Sequence, residues 1–497
     1  MGSGFYIENF GCRAARADGE AVSDRLRKAG LCERNPAEAE VVVVNTCSVT
    51  AEADRSARAF IRRAHRLNPA AKIVVTGCYA QRAPEELAVM PGVAAVIGNS
   101  HKGLAPEIIL SLGGACGAAP AAIDGSDVPA SAMVTVASLL SAGPARYGAE
   151  GHAPIWADEA FAHSFLEEAQ LVPGEQTRPN LKIQEGCNNR CTFCVIPHTR
   201  GGSKSLAAAS VLKQVEGFVA AGGKELVLSG INLGRWGRDF EKSSLEEESA
   251  EPHRLAALVR AILTETGLAR LRLSSIEPMD WDPEMIALMA EFGEPLARNR
   301  SAIGRLARHA HLPLQSGSDA VLRRMHRRYR PWHYAEKVDA LLRAAGPALT
   351  LGTDVMVGFP GETDAEFEET LEMVRGLPFG YLHLFPFSPR PGTAGWAFHA
   401  RQPVPHHAVE ERMKALRALA VEKSKAHRGR FVGQELEAIT QHTPAELAQK
   451  GQTAAVTENF LPVELAGRIP ANQLVRLRVN RLGADGTLEA ALVNAEY

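Results

Sequence analysis

Residues 181–194 read LKIQEGCNNRCTFC. Leu181 to Gln184 reads as a short strand, and it runs into a loop carrying Cys187, Cys191 and Cys194 at C-x-x-x-C-x-x-C. Three thiolates on so tight a loop can wrap an iron–sulfur cube and leave its fourth iron open to a small molecule. Closely spaced cysteines cannot all pair locally as disulfides. Zinc usually takes four ligands, and His198 is the only nearby residue that could add one. Iron–sulfur ligation is therefore favoured, with zinc as the next reading.

Downstream of this loop, strand-like runs recur between helical ones. Lys224 to Ser229 precedes Gly230-Ile231-Asn232, and Arg270 to Ser275 precedes Glu277-Pro278. Ala310 to Leu314, Thr350 to Val357 and Tyr381 to Phe385 each precede a polar or glycine-rich turn. Helical stretches such as Ala207 to Ala221 and Asp364 to Arg375 separate them. Counting Leu181 to Gln184, this makes six βα units, too few for an eight-stranded barrel. They predict an open (β/α)6 partial barrel over residues 173–403, with its chemistry at the carboxyl ends of the strands.

Upstream, residues 1–112 repeat strand, turn and helix. Phe5 to Phe10, Glu40 to Asn45 and Lys72 to Thr76 are strand-like. Gly11-Cys12, Thr46-Cys47 and Gly77-Cys78 follow them in turn. Parallel strands in an α/β domain share one carboxyl edge, where ligands gather. Cys12, Cys47 and Cys78 are thereby expected to converge on a second cluster, again with one open iron. Three buried small hydrophobes are the bland alternative. Cys32 and Cys116 read as unligated thiols.

Residues 113–172 are rich in Ala, Gly and Pro and read as a linker or insert, with a local helix at Ser131 to Leu140 and another at Asp158 to Ala169. A charged helix is expected from Ala408 to about Arg428, within a connector at 404–432, and a solvated face is at least an even reading of it. Short alternating runs over 433–497 predict a small β-barrel.

The 497 residues carry a formal net charge of −2, which argues against indiscriminate nucleic-acid binding but leaves room for local patches. RRMHRRYR at 323–330 is a candidate for phosphate contact; a helix face lying on the barrel is its alternative. No apolar run approaches a membrane span, and MGSGFYIENFGC lacks the regions of a signal peptide. Eight cysteines in such a chain suggest metal or catalysis, and a cytoplasmic location is expected.

The words NTCSVTAEADR, VTGCYAQ, KIQEGCNNRCTFCVIPHTRG, HLPLQSGSD, DVMVGFPGET and FPFSPRPGTA, with the six cysteines, resemble the radical S-adenosylmethionine methylthiotransferases. The likeness spans nearly the whole chain outside 113–180 and the acidic loop near 241–253. It implies two [4Fe-4S] clusters, at Cys187, Cys191 and Cys194 and at Cys12, Cys47 and Cys78, with S-adenosylmethionine chelated at the first. One-electron cleavage of that cofactor yields a 5′-deoxyadenosyl radical, and the second cluster holds the sulfur to be transferred. Phe193 then packs on adenine, Gly230 and Asn232 meet the methionine part, and Glu277 meets the ribose. For Phe193 the alternative is core filling; for residues 358–361 a simple turn is favoured.

The 433–497 barrel resembles the tRNA-binding TRAM module. Glu435, Glu437, Glu446, Glu458 and Glu464 dilute its positive charge, which leaves arginines such as Arg476, Arg478 and Arg481 for RNA. TAEADRSARAFIRRA and TGCYAQRAPEEL are most similar to the branch acting on threonylcarbamoyl-adenosine in tRNA. FGCRAARADGE departs from the usual first motif by lacking an Asn soon after the Cys. The resemblance implies methylthiolation at C2 of N6-threonylcarbamoyladenosine, position 37, in the tRNA anticodon loop. Isopentenyladenosine in tRNA and a ribosomal-protein aspartate are alternative substrates; an iron–sulfur RNA-binding sensor is the non-enzyme alternative. An electron donor such as flavodoxin or ferredoxin, a sulfur source, no membrane and a monomeric state complete the expectation.

Overall fold

The computed structural model describes residues 4–112, 152–161, 164, 166, 178–240, 254–293 and 305–493. The chain divides into two compact units. One comprises Met1–Ala169, Glu185–Asn189 and Val195–Gly202; the other comprises Gln170–Gln184, Arg190–Cys194 and Ser203–Tyr497.

The first unit is built on a parallel sheet of β1 (Gly4–Asn9), β2 (Cys32–Glu33), β3 (Val41–Thr46), β4 (Lys72–Gly77), β5 (Val93–Gly98) and β6 (Ile155–Trp156), in the order β2-β1-β3-β4-β5-β6. The central strand β3 is buried along its whole length. Val42 and Val44 feed one core, with Phe60 and Ile61; Val41 and Val43 feed the other, with Leu26 and Ile109. Alternation to two apolar faces is what a parallel strand covered by helices on both sides requires. The helix Ala51–Leu67 begins where Thr50 accepts the amide of Ala53 at 3.2 Å.

The helix expected from Asp158 does not form over its described start. Asp158 Oδ1 instead accepts the amides of Ala160 and Phe161 at 3.0 and 3.1 Å, a local turn that competes with helix. Its remainder, apart from residues 164 and 166, lies outside the described residues, as do Cys116 and Ser131 to Leu140.

In the second unit, β7 (Asn180–Glu185), β8 (Lys204–Ser205), β9 (Glu225–Gly230), β10 (Arg270–Leu273) and β11 (Arg305–Leu306) form a sheet ordered β11-β10-β9-β7-β8. The strands β12 (His309–His311), β13 (Thr350–Val357) and β14 (Phe379–Pro386) form a parallel second sheet. The amide of Ile276, just beyond β10, reaches the carbonyl of His311 at 3.1 Å, so the two sheets meet there. The six longer strands are those of the open (β/α)6 barrel. The helix His406–Gly429 packs along β14. Its solvated-face reading is only partly right: Met413, Leu416 and Leu419 join the core, and buried Arg412 pairs with Glu362 at 2.9 Å.

β15 (Glu435–Thr440), β16 (Gln452–Thr457), β17 (Pro462–Ala466), β18 (Leu474–Leu482) and β19 (Leu488–Leu492) close into a barrel around Leu436, Leu465, Leu477 and Val479. Two of its glutamates do not dilute a surface charge. Glu437 pairs with Arg270 at 3.3 Å and with Arg305, and Glu458 pairs with Arg308. Arg270 and Arg272 also hold the fully buried Glu225, at 3.0 and 2.9 Å, and Arg272 donates to the carbonyl of Thr457. Burial alone would raise the Glu225 pKa; Arg272, Arg270 and Arg178 outweigh it and lower it. The five-stranded barrel is thus clasped to the starts of β9–β11 by charges that each have a partner.

Candidate functional site

Cys12, Cys47 and Cys78 each follow a strand of one sheet. Cys12 is exposed, just after β1; Cys47 and Cys78 are buried, just after β3 and β4. Glycines shape two of these exits. Gly11 has φ +108°, and a Cβ there would stand 2.7 Å from Cys47 Sγ; Gly77 has φ +96°, and a Cβ there would stand 2.7 Å from the Thr46 amide nitrogen. The turn before Cys12 therefore lies directly against Cys47.

The three thiols also share an electrostatic environment. Burial pushes the Cys47 thiol up to about 12, with further upward pressure from Cys78 and Cys12. Beside them lies Arg200, fully buried at the end of the helix Ile196–Arg200. Its Nε is 3.2 Å from Cys78 Sγ, and its Nη1 donates to Asp18 at 3.0 Å and Glu185 at 2.8 Å. Burial would lower the guanidinium's pKa; Cys78, Glu185, Asp18 and Cys12 reverse this and hold it well above its ordinary value. Lys102 also pairs with Glu185, and lies 3.5 Å from Asp18. Asn99 donates to Cys78 Sγ at 3.4 Å.

Arg200, Lys102, Asp18 and Glu185 balance one another, so three added thiolates need positive charge of their own. A cationic iron–sulfur core supplies that charge. Arg200 Nη2 is buried and has no hydrogen-bond partner among the described residues, and cluster sulfide is an acceptor of the missing kind. The donor set thus fits such a cluster.

The C-x-x-x-C-x-x-C loop contributes Cys187 to the first unit and Cys191 and Cys194 to the second. The amide of Asn189 points to Cys187 Sγ at 3.4 Å. The second part is anchored by Thr192, whose amide and hydroxyl donate to the carbonyls of Met325 (3.1 Å) and Arg324 (2.9 Å). Gly395 donates its amide to the Thr192 carbonyl at 2.7 Å. Phe193 is partly buried against the second unit's core.

Glu277 follows β10 and receives Arg327 on both carboxylate oxygens, at 2.8 and 2.7 Å. Arg327 also reaches Cys191 Sγ at 3.4 Å. Burial lowers its pKa; Tyr329, Glu277 and Cys191 together raise it well above the ordinary value. Gly230 lies against Gln184, where a Cβ would stand 2.9 Å from the Gln184 Cβ, and Gln184 Oε1 accepts the Asn232 amide at 2.7 Å. Gly230 and Asn232 are thus tied to the strand that enters the cysteine loop.

The 323–330 stretch is not a free phosphate-binding patch. Arg323 and Arg330 pair with Asp319, Arg324 with Glu366, Arg327 with Glu277 and Arg328 with Asp280. Nor is it one helix, since helix ends at Arg324 and His326 has φ +57°. Residues 358–361 form the expected turn, with the Gly358 amide on Glu362 Oε2 at 2.8 Å. Cys32 is exposed on β2. On the C-terminal barrel, Arg478 pairs with Glu435 and Arg481 with Glu489, both at 2.7 Å, while Arg476 is exposed.

The place of Arg200 at Cys78 and of Arg327 at Cys191 was not read from the sequence, although Arg327 lies in the 323–330 stretch named there for phosphate contact. Each meets its sulfur across more than a hundred residues, and one of many arginines carries no local signal of that.

Residues 4–98 match the model of "Uncharacterized protein family UPF0004", and residues 181–374 that of the "Radical SAM superfamily". A Bacillus subtilis protein named "Threonylcarbamoyladenosine tRNA methylthiotransferase MtaB" is 33% identical over 96% of this chain and 94% of its own. Its Thermotoga maritima namesake is 32% identical over 97% and 95%. A Geobacter metallireducens "tRNA-2-methylthio-N(6)-dimethylallyladenosine synthase" is 30% identical over 96% and 95%.

Proposed function

The chain belongs to the radical S-adenosylmethionine methylthiotransferases, enzymes with two [4Fe-4S] clusters, and we propose that it methylthiolates C2 of N6-threonylcarbamoyladenosine at position 37 of tRNA. Cys187, Cys191 and Cys194 would hold one cluster, whose open iron would take S-adenosylmethionine; Cys12, Cys47 and Cys78 would hold the other. When bound, these groups supply one-electron chemistry able to open an aromatic C–H bond, together with the sulfur to be delivered.

The residues of the chain position and shield that chemistry. Arg200 and Asn99 donate to Cys78 Sγ, and the Asn189 amide donates to Cys187 Sγ. Hydrogen bonds to cluster sulfurs favour the more negative, reduced state. Arg327 does the same at Cys191 while fixing the Glu277 carboxylate, whose remaining lone pairs can accept ribose hydroxyls. Gly230 and Asn232 would meet the methionine part of S-adenosylmethionine, and Phe193 would meet its adenine. A reductant such as flavodoxin or ferredoxin, a sulfur source and a monomer in the cytoplasm complete the reading. Among the described residues no helix is long and apolar enough to cross a membrane.

The substrate choice is carried by the 33% identity over 96% of the chain to the Bacillus subtilis relative. Nucleoside mass spectrometry of tRNA from a deletion strain tests it. The 2-methylthio form of threonylcarbamoyladenosine should disappear and its unmodified precursor accumulate. Unchanged threonylcarbamoyladenosine with loss of methylthio-isopentenyladenosine would move the enzyme to the other tRNA branch, and no change in either would overturn the reading.

A further inference from the structure

Three strands of the second unit bring His311, Asp354 and His383 together. They lie on β12, β13 and β14, with Asp354 and His383 directly paired in register. One ligand atom from each lies within 4.8 Å of the other two. His311 Nε2 is 3.1 Å from Asp354 Oδ1, and His383 Nδ1 is 3.2 Å from the same oxygen. Two imidazoles and a carboxylate on adjacent strands form a rigid, borderline-soft donor set. In a tetrahedral site with bonds of about 2.1 Å, neighbouring ligand atoms stand about 3.4 Å apart, close to the two histidine–aspartate spacings seen here.

Two details favour a cation over a plain hydrogen-bond network. His311 is buried, and its Nε2 faces Asp354 without the alignment a hydrogen bond needs. Its other nitrogen, Nδ1, is 3.0 Å from the Tyr381 hydroxyl, which also meets His309 Nε2 at 2.7 Å. A ring nitrogen tied down this way orients the opposite nitrogen as a ligand, the usual outer-shell arrangement of a metal-binding histidine. The site is open on one side, because the His383 side chain is 63% exposed.

We propose that His311, Asp354 and His383 bind a divalent first-row ion of the zinc class, with a coordination position left for water or a substrate oxygen. This site is distinct from the six cysteines and does not depend on which base is modified. None of the three residues lies in the C-x-x-x-C-x-x-C loop, and the ligand set contains no sulfur.

The test uses the full chain with both clusters assembled anaerobically, dialysed against zinc and then counted for zinc and iron. The wild type should carry about one zinc per chain beside about eight irons, with only nitrogen and oxygen neighbours at about 2.0–2.2 Å by zinc-edge X-ray absorption. His383→Gln and Asp354→Asn should lose the zinc and keep the iron; Tyr381→Phe should weaken zinc binding about 10- to 100-fold. His383→Gln alters an exposed side chain, so its folding is not in question. Equal zinc in the wild type and His383→Gln, sulfur in the zinc shell, or no zinc in the wild type would each overturn the proposal. The deletion-strain tRNA measurement is separate, so either result can fail without the other.

Discussion

Arg200 and Arg327 each set a guanidinium nitrogen on a cysteine sulfur, at 3.2 and 3.4 Å. Each is buried and anchored by carboxylates: Asp18 and Glu185 for the first, Glu277 for the second. A buried charge that loses its partner is costly, of the order of 3–5 kcal/mol. Arg200→Gln should therefore lower the thermal midpoint and strip the Cys12, Cys47 and Cys78 cluster, taking iron from about eight to about four per chain. Replacing those three cysteines with Ala should give the same iron count while cleavage of S-adenosylmethionine survives. Retention of full iron in the triple variant would refute a cluster there. The placement of Cys12, Cys47 and Cys78 after strands of one sheet was legible in the sequence, because each strand run ends just before its cysteine. The arginine contacts were not, because each pairing exists only after the chain has folded.

Strands followed by a glycine or polar turn were legible, as at Lys72–Gly77, but the apolar run Val93–Gly98 was not. Thr350–Val357 has the limits the sequence predicts. The two-residue strands Cys32–Glu33, Ile155–Trp156, Lys204–Ser205 and Arg305–Leu306 were missed, because two residues carry no periodicity and only a neighbouring edge makes them strands. Two substitutions separate an element's stability from its place at a cysteine. Gly77→Ala forces an unfavourable backbone against Thr46 and should cost about 1–3 kcal/mol together with iron at the adjoining Cys78. Thr363→Ala breaks the capping box of Asp364–Gly376 and should cost about 1 kcal/mol with iron unchanged. Urea midpoints and iron counts read both.

On the scale of the whole molecule, one buried histidine sets a pH limit. His427 Nε2 lies 2.9 Å from Thr350 Oγ1, and its ring packs edge-on against Phe431. Burial, then Arg430 and Arg428, takes its pKa from 6.5 to about 4. The unfolded chain therefore binds the proton first, so stability is full above about pH 6.5 and falls as pH drops toward 4. The loss is about 3 kcal/mol. His427→Gln should flatten the unfolding midpoint across that window; an unchanged slope would place the sensitivity elsewhere.

The charges at the base of the (β/α)6 barrel bear on how this chain can be recombined. Arg270, Arg305 and Arg308 find their acids on the last sixty-odd residues, at Glu437 and Glu458. A chimera that imports another C-terminal barrel must bring carboxylates at both places, or it strands cations in a dry interface. The tail is thus not interchangeable cargo: its sequence is co-written with strands that precede it by more than a hundred residues.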